Sequence, residues 1–205
     1  MSAFELLVGS KNRKKAAEIR RLLLRLPVEV LDLSAFHDLP DVTEEGETFQ
    51  ANAVTKATAF ARMTGLPTIA DDSGIEVDAL GGRPGIYSAR FAGPHATDEA
   101  NNRLMLELLA NASPLERTAR YRVAIAFATP EAVVFTCEGS VEGVILDHPR
   151  GTNGFGYDPL FFVSELGGTF GEIAPEVKDT VSHRARALAE FKRQFAEFLA
   201  AREPR

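Results

Sequence analysis

The sequence predicts an α/β protein whose sheet has a parallel part, and three observations lead there. The first thirty-odd residues alternate strand, helix and strand, residues 119–146 carry a long pair of β-rich runs, and the last twenty carry helical periodicity. Phe4-Glu5-Leu6-Leu7-Val8 is a short apolar run. After the polar turn Gly9-Ser10-Lys11-Asn12, Ile19, Leu22, Leu23 and Leu26 recur at helical spacing; Pro27 stops that helix and residues 28–33 read as the next strand.

Residues 34–47 form a polar loop. Residues 48–63 predict a second helix, with Thr48 as its N-cap and Gly65 past its end. Residues 67–70 are a short buried strand that runs into Asp71-Asp72-Ser73-Gly74, a turn by composition, with residues 75–77 returning as a strand. Residues 81–85 are a glycine-rich loop, and Thr97-Asp98-Glu99 opens a helix to Ala110. Residues 119–129 and 132–146 predict a hairpin turned near Pro130-Glu131. A second glycine-rich loop spans residues 151–156, a strand follows at 159–163, and Ser182 caps a final helix reaching about Ala201. No linker-like run divides the chain, so residues 1–205 read as one domain.

Composition bounds the function. The 205 residues are 45% apolar and 25% charged, ordinary globular usage. A net charge of -6 speaks against a general nucleic-acid binder. The single cysteine, Cys137, excludes an intramolecular disulfide and fits a reducing compartment. No apolar run approaches the ~18 residues of a membrane span, so a cytoplasmic protein without a membrane partner is expected. Walker A and GxSxG patterns and a zinc-spaced Cys/His cluster are absent, and His37, His95, His148 and His183 are scattered.

The informative anomaly is positional. Lys15 shares a stripe with Ile19, Leu22 and Leu26; Lys56 sits among Phe49, Ala53 and Phe60, one turn after Asn52; Arg184 falls in the arc of Ala187, Leu188, Phe191 and Phe195. Three helices thus turn a cation toward their packed side. A buried cation needs an anionic partner, and first-turn positions such as those of Lys15 and Arg184 favour phosphate. Carboxylates for a metal lie in Asp71-Asp72, where alternation along a strand sends neighbouring side chains to opposite faces, and in Glu44-Glu45.

The ordered motifs Ser10-Lys11-Asn12-Arg13-Lys14-Lys15 with Glu18, Thr48-Phe49 with Asn52-Ala53 and Lys56-Ala57, Ala70-Asp71-Asp72-Ser73-Gly74, Pro84-Gly85-Ile86-Tyr87-Ser88-Ala89-Arg90, Gly154-Phe155-Gly156-Tyr157-Asp158-Pro159 and Ser182-His183-Arg184 make the chain similar to the Ham1-type nonstandard purine nucleoside triphosphate pyrophosphatases, also described as inosine triphosphate pyrophosphatases or XTP/dITP diphosphatases. The resemblance runs from Leu7 to the last helix. It implies an elongated α/β fold of two lobes about a long mixed sheet, with the nucleotide in the cleft between them, a homodimer, and Mg2+ as cofactor.

By that similarity the loop of Ser10, Lys11, Asn12, Arg13, Lys14 and Lys15 holds the triphosphate, with Lys15 and Lys56 neutralising it. Asp72 is the expected catalytic base and metal ligand, with Ser73 beside it. Glu44 is the favoured second metal carboxylate, with Glu45 the alternative. Phe155, Gly156, Tyr157, Asp158, Lys178, His183 and Arg184 match positions that hold sugar and base. The chain departs from the pattern at Lys11, where glycine is common, at Ala51, where glutamate is common, and at Asn153, where a second glycine is common. The implied reaction is attack of water on a triphosphate phosphorus, releasing pyrophosphate from ITP, dITP or XTP, with a carbonyl at the purine six-position as the selected feature. A related pyrophosphatase of pyrimidine preference and a non-catalytic nucleotide sensor are the competing readings.

Overall fold

A computed structural model describes residues 4–24 and 26–202. Residues 1–3 and 203–205, the ends of the expected single domain, and residue 25, inside the first predicted helix, lie outside the described residues. The elements are β1 (Phe4–Val8), α1 (Arg13–Leu23), β2 (Val28–Asp32), α2 (Phe49–Thr64), β3 (Thr68–Val77), α3 (Asp98–Leu108), β4 (Thr118–Ala128), β5 (Val133–Ile145), β6 (Phe161–Val163), β7 (Gly168–Thr169), α4 (Pro175–Val181) and α5 (His183–Ala200). They form a seven-stranded sheet in the order β2-β1-β3-β4-β5-β6-β7. β1 pairs in parallel with β2 and β3, whereas β5–β6 and β6–β7 are antiparallel, so the sheet is mixed and helices flank it.

Two compact units emerge. The first comprises Met1–Asp72, Val123–Gly139 and Arg184–Arg205, the second Ser73–Arg122 and Ser140–His183, with the boundaries inside β3, β4, β5 and the start of α5. The core of the first joins Leu6, Val8, Ile69, Ile125 and Phe127 of the strands to Ile19 and Leu23 of α1 and Leu188, Phe191 and Phe195 of α5. The core of the second joins Ile75, Val77, Tyr121, Val141 and Phe161 to Met105, Leu160 and Phe170. Each fully buried leucine or phenylalanine contributes about 1.5–3 kcal/mol, so each unit has an apolar core of its own.

Local chemistry sets the helix ends. Asn12 caps α1, its side chain accepting from the Lys14 and Lys15 amides, and Arg20 and Arg21 suit the negative end of the helix dipole. α1 stops at Leu23 rather than at Pro27, because a proline disfavours helical geometry in the residue before it and the helix closes earlier. Leu26 still packs on the core, from beyond the helix. Thr48 caps α2 through its hydroxyl, and Gly65 ends it at φ 72°, a left-handed conformation that glycine adopts without strain.

The main surprise is β3. The expected turn at Asp71-Asp72-Ser73-Gly74 lies inside one continuous ten-residue strand. β1 and β4 flank β3 in the sheet, and both aspartates find cationic partners, so tertiary context overrides local turn preference. The β4–β5 hairpin turns where expected, with the Thr129 amide donating to the Ala132 carbonyl at 2.9 Å. β6 begins at Phe161 rather than Pro159, since the Leu160 amide closes a turn onto Tyr157 O at 2.9 Å. α4 and β7 have no counterpart in the sequence reading; seven and two residues are too short for a periodic signal.

Candidate active site

In the first unit, α1, α2, α5, β3 and the loop before α2 bring seven charged side chains together. Lys56, midway along α2, places Nζ 3.0 Å from Glu44 Oε1 and 3.5 Å from Asp72 Oδ1. Lys15, in the first turn of α1, reaches Asp71 Oδ2 at 3.6 Å. Arg184, in the first turn of α5, donates from Nη2 to Asp71 Oδ2 at 2.8 Å and from Nη1 to Glu18 Oε2, and is 1% exposed. Alternation along β3 is resolved by two cations: Lys15 is ion-paired with Asp71 and Lys56 with Asp72.

Neighbouring charge tunes these groups. Burial alone would lift the Asp71 carboxyl, but Lys15, Arg184 and Lys56 hold it well below the usual carboxylate range. Burial pushes Asp72 up, with Lys56 and Lys15 opposing and Glu44 reinforcing. Burial would lower the Lys56 ammonium, yet Asp72, Asp71 and Glu44 together raise it. Burial lowers that of Lys15, and Asp71 offsets this only in part.

Asn52, fully buried one turn before Lys56, ties the parts together. Its Nδ2 donates to Asp72 Oδ2 at 3.0 Å, and its Oδ1 accepts from the Gly46 amide at 2.8 Å. The loop that carries Glu44 is thereby fastened to the residue that fastens Asp72. The sequence shows Asn52 in the stripe and the motif but assigns neither it nor Glu18 to the site; a polar residue inside an apolar stripe is the available signal. Glu45 is exposed, whereas Glu44 is the one paired with Lys56.

The cluster's anionic donors are hard oxygens. Among the described residues, no three His, Cys, Asp or Glu side chains form a preformed metal cage. Two hard oxygens, from Glu44 and Asp72, nevertheless converge on one cationic point at Lys56 Nζ. Asp71 Oδ1 is buried and meets no hydrogen-bond donor among the described residues. The carboxylates of Glu18, Glu44, Asp71 and Asp72 outnumber the cations Lys15, Lys56 and Arg184 by four to three. Mg2+ is commonly held by one or two carboxylates plus phosphate oxygens and water, and Glu44 and Asp72 are donors of that kind.

The expected triphosphate loop divides its tasks. Ser10, Lys11 and Arg13 line a cavity of about 870 Å³ together with Arg20, Asp32 and Phe36. Asn12 is the helix cap and Lys14 is exposed. Lys11, which stands where glycine is common, extends to Leu39 O at 3.1 Å and Asp41 Oδ1 at 2.6 Å.

The second unit gathers most of the remaining predicted residues. Asp158 is 2% exposed; its Oδ2 accepts from Lys178 Nζ at 2.7 Å and from the Phe155 amide at 2.8 Å. The Lys178 ammonium lies 5.0 Å from the Phe155 ring centroid and 5.2 Å from that of Phe170. Gly156 donates its amide to Asp98 Oδ2 at 2.8 Å, and Tyr157 Oη donates to Ser88 O at 2.9 Å. Gly154 is obligatory: at φ 74° a Cβ would stand 2.0 Å from Asp158 Oδ2. His183 is buried, its imidazole stacked on the Tyr121 ring. Ser73 follows Asp72 in β3 and is half-buried.

Known proteins resemble this chain in sequence and in fold. The Ham1 family profile matches residues 6–194. The chain is 52% identical to the dITP/XTP pyrophosphatase of Geobacter sulfurreducens, over 91% of this chain and 94% of that protein. The solved HAM1 protein of Coxiella burnetii superimposes with a TM-score of 0.85 at 39% identity, covering 95% of this chain and 99% of that one. The Ham1 protein of Staphylococcus aureus gives 0.82 at 37% identity, covering 97% and 100%. With the family profile, a relative at 52% identity and solved folds all matching over nearly its whole length, the chain belongs to the Ham1 family.

Proposed function

We propose that this protein is a hydrolase that clears aberrant purine nucleoside triphosphates, dITP, XTP and ITP, by converting them to the monophosphate and pyrophosphate. The observation that carries the reading is Lys56 Nζ held between Glu44 and Asp72, in a chain 52% identical to a protein named dITP/XTP pyrophosphatase. Cations for a polyphosphate and carboxylates for its counter-ion meet at one point.

In this reading Asp72 takes the proton of the attacking water as general base, and its buried position, which raises its proton affinity, suits that task. Lys15 and Lys56 meet the charge of the departing pyrophosphate, and Ser10, Lys11, Asn12, Arg13 and Lys14 form the rim of the phosphate site. Glu44 and Asp72 would hold Mg2+, whose chemistry is to neutralise phosphate charge and orient the reacting groups. Phe155, Gly156, Tyr157, Asp158, Lys178 and His183 receive sugar and base, with Ser73 a substrate contact next to Asp72 in the chain. Arg184 serves by gripping Asp71; to touch a base it would have to leave its clamp with Glu18 and Asp71. A homodimer working in the cytoplasm belongs to the same reading, on the strength of the family resemblance; among the described residues no helix is long and apolar enough to cross a membrane.

The test is pyrophosphate release from ITP, dITP, XTP, ATP, GTP and dUTP, with Mg2+ and with chelator. Magnesium-dependent release from the first three, and little from the rest, is expected. Release chiefly from dUTP would discard the base assignment, and binding without release would make the protein a sensor. Light scattering on the same preparation reads the dimer.

A further inference from the structure

Tyr121 belongs to none of the motifs, yet it touches two groups of the second cluster at once. Its ring lies flat on the His183 imidazole, centroids 4.8 Å apart and planes 8° from parallel. Phe161 meets it edge-on at 4.8 Å, and Phe170 lies nearly parallel at 6.1 Å. The Asp158 carboxylate and the Tyr157 backbone both act on its buried hydroxyl. Asp158 in turn holds Lys178 and the Phe155 amide.

A phenylalanine would fill the same core space. What the hydroxyl adds is a polar neighbour for a buried carboxylate that also accepts from Lys178 and the Phe155 amide, leaving fewer of its roughly four lone-pair sites for anything else. What the ring adds is a flat support that fixes the plane of His183, and with it the directions of both imidazole nitrogens. Groups that read a base discriminate only when their donors and acceptors are held in place.

We infer that Tyr121 is a positioning residue for base selectivity, holding His183 by its face and the Asp158–Lys178–Phe155 group by its hydroxyl. The inference rests on the proposed function, in which these groups receive the base. Loss of the hydroxyl frees an acceptor site on Asp158 for the exocyclic amino group of adenine or guanine. Loss of the ring frees the imidazole.

The experiment compares wild type, Tyr121→Phe and Tyr121→Leu for pyrophosphate release from ITP, GTP and ATP, with inhibition by tripolyphosphate as a base-free probe. In Tyr121→Phe the ITP-over-GTP and ITP-over-ATP ratios of kcat/KM are expected to fall about five- to tenfold, the loss on ITP lying mainly in KM. Tyr121→Leu is expected to lose more, and the tripolyphosphate inhibition constant to stay within about twofold in both. A uniform fall for all three nucleotides, or unchanged ratios in a folded variant, overturns the inference. Should Tyr121→Leu not fold, Tyr121→Phe, which keeps the ring, decides the hydroxyl's part. If the wild type releases pyrophosphate from none of the triphosphates, the proposed reaction fails by itself, and the ratio of IMP to AMP affinity in Tyr121→Phe still decides the role of Tyr121.

Discussion

The Asn52 carboxamide donates to Asp72 Oδ2 at 3.0 Å while its oxygen accepts from the Gly46 amide at 2.8 Å. The two bonds fix which end of the amide is which: a flip would set its oxygen against a carboxylate and its NH2 against an N–H. Asn52→Leu keeps similar bulk but leaves the Asp72 oxygen short of a donor and the Gly46 amide short of an acceptor. A stability loss of about 1–3 kcal/mol is expected in urea unfolding, with kcat on ITP down about 10- to 100-fold through a loosened Asp72. Wild-type kcat in a destabilised variant would reduce Asn52 to a structural bond.

Asp72→Asn replaces the proposed base with a near-isosteric amide. Turnover is expected to fall at least about 1,000-fold while the fold stays intact by circular dichroism, the upper part of the range for lost proton transfer combined with a lost metal ligand. Isothermal titration with IMP should show near-wild-type affinity, since the proposed base groups belong to the second cluster. Activity within tenfold of wild type would move the base elsewhere.

Much of this was legible in the sequence, and the reason is burial. Lys15, Lys56 and Arg184 announced themselves because a cation on an apolar stripe violates amphipathic patterning, and all three do meet carboxylates. The caps Thr48 and Thr97 were legible because their chemistry is local. What stayed hidden depends on distant chain. Asp71–Gly74 has turn composition, and only the neighbouring strands and the cations make it a strand. Glu18 looks like one more exposed helix glutamate until Arg184, 166 residues on, buries it. Tyr121 reads as ordinary strand filling, because no local pattern shows that His183 will lie on its ring.

Lys56→Met removes the cation shared by Glu44 and Asp72 and leaves the two carboxylates facing each other. Tripolyphosphate inhibition is expected to weaken about 10- to 100-fold, whereas inosine binding should change less than about twofold, because a nucleoside carries no phosphate for Lys56 to neutralise. Equal loss for both probes would mean that Lys56 supports the structure.

The Arg184 clamp predicts a graded loss of stability. Arg184→Met leaves Glu18 and Asp71 buried with Lys15 and Lys56 as the remaining nearby cations for Asp71, and about 3–5 kcal/mol of destabilisation is expected. Glu18→Gln keeps an acceptor for the guanidinium and removes only charge, so about 1–3 kcal/mol is expected. Urea titration of both variants checks the order. Equal stability of Arg184→Met and wild type would show that the clamp contributes no net stability.

Cys137 offers a test independent of catalysis. It lies on β5, is 5% exposed, and packs in the core of the first unit. Burial, reinforced by Glu190, pushes its thiol up to about 12 from an ordinary value of 9.0. The thiolate is the reactive form, so the native thiol should resist Ellman's reagent at pH 8 and react promptly in urea. The linkage sign follows: between about pH 9 and pH 12 the native thiol keeps a proton that the unfolded chain releases, so the stability it contributes is complete below pH 9 and declines as pH rises through that window. Cys137→Ala should flatten that part of the stability–pH curve, though it also costs packing. Prompt labelling of the folded protein at pH 8 would contradict the buried, neutral thiol and with it the packing of β5 against the core.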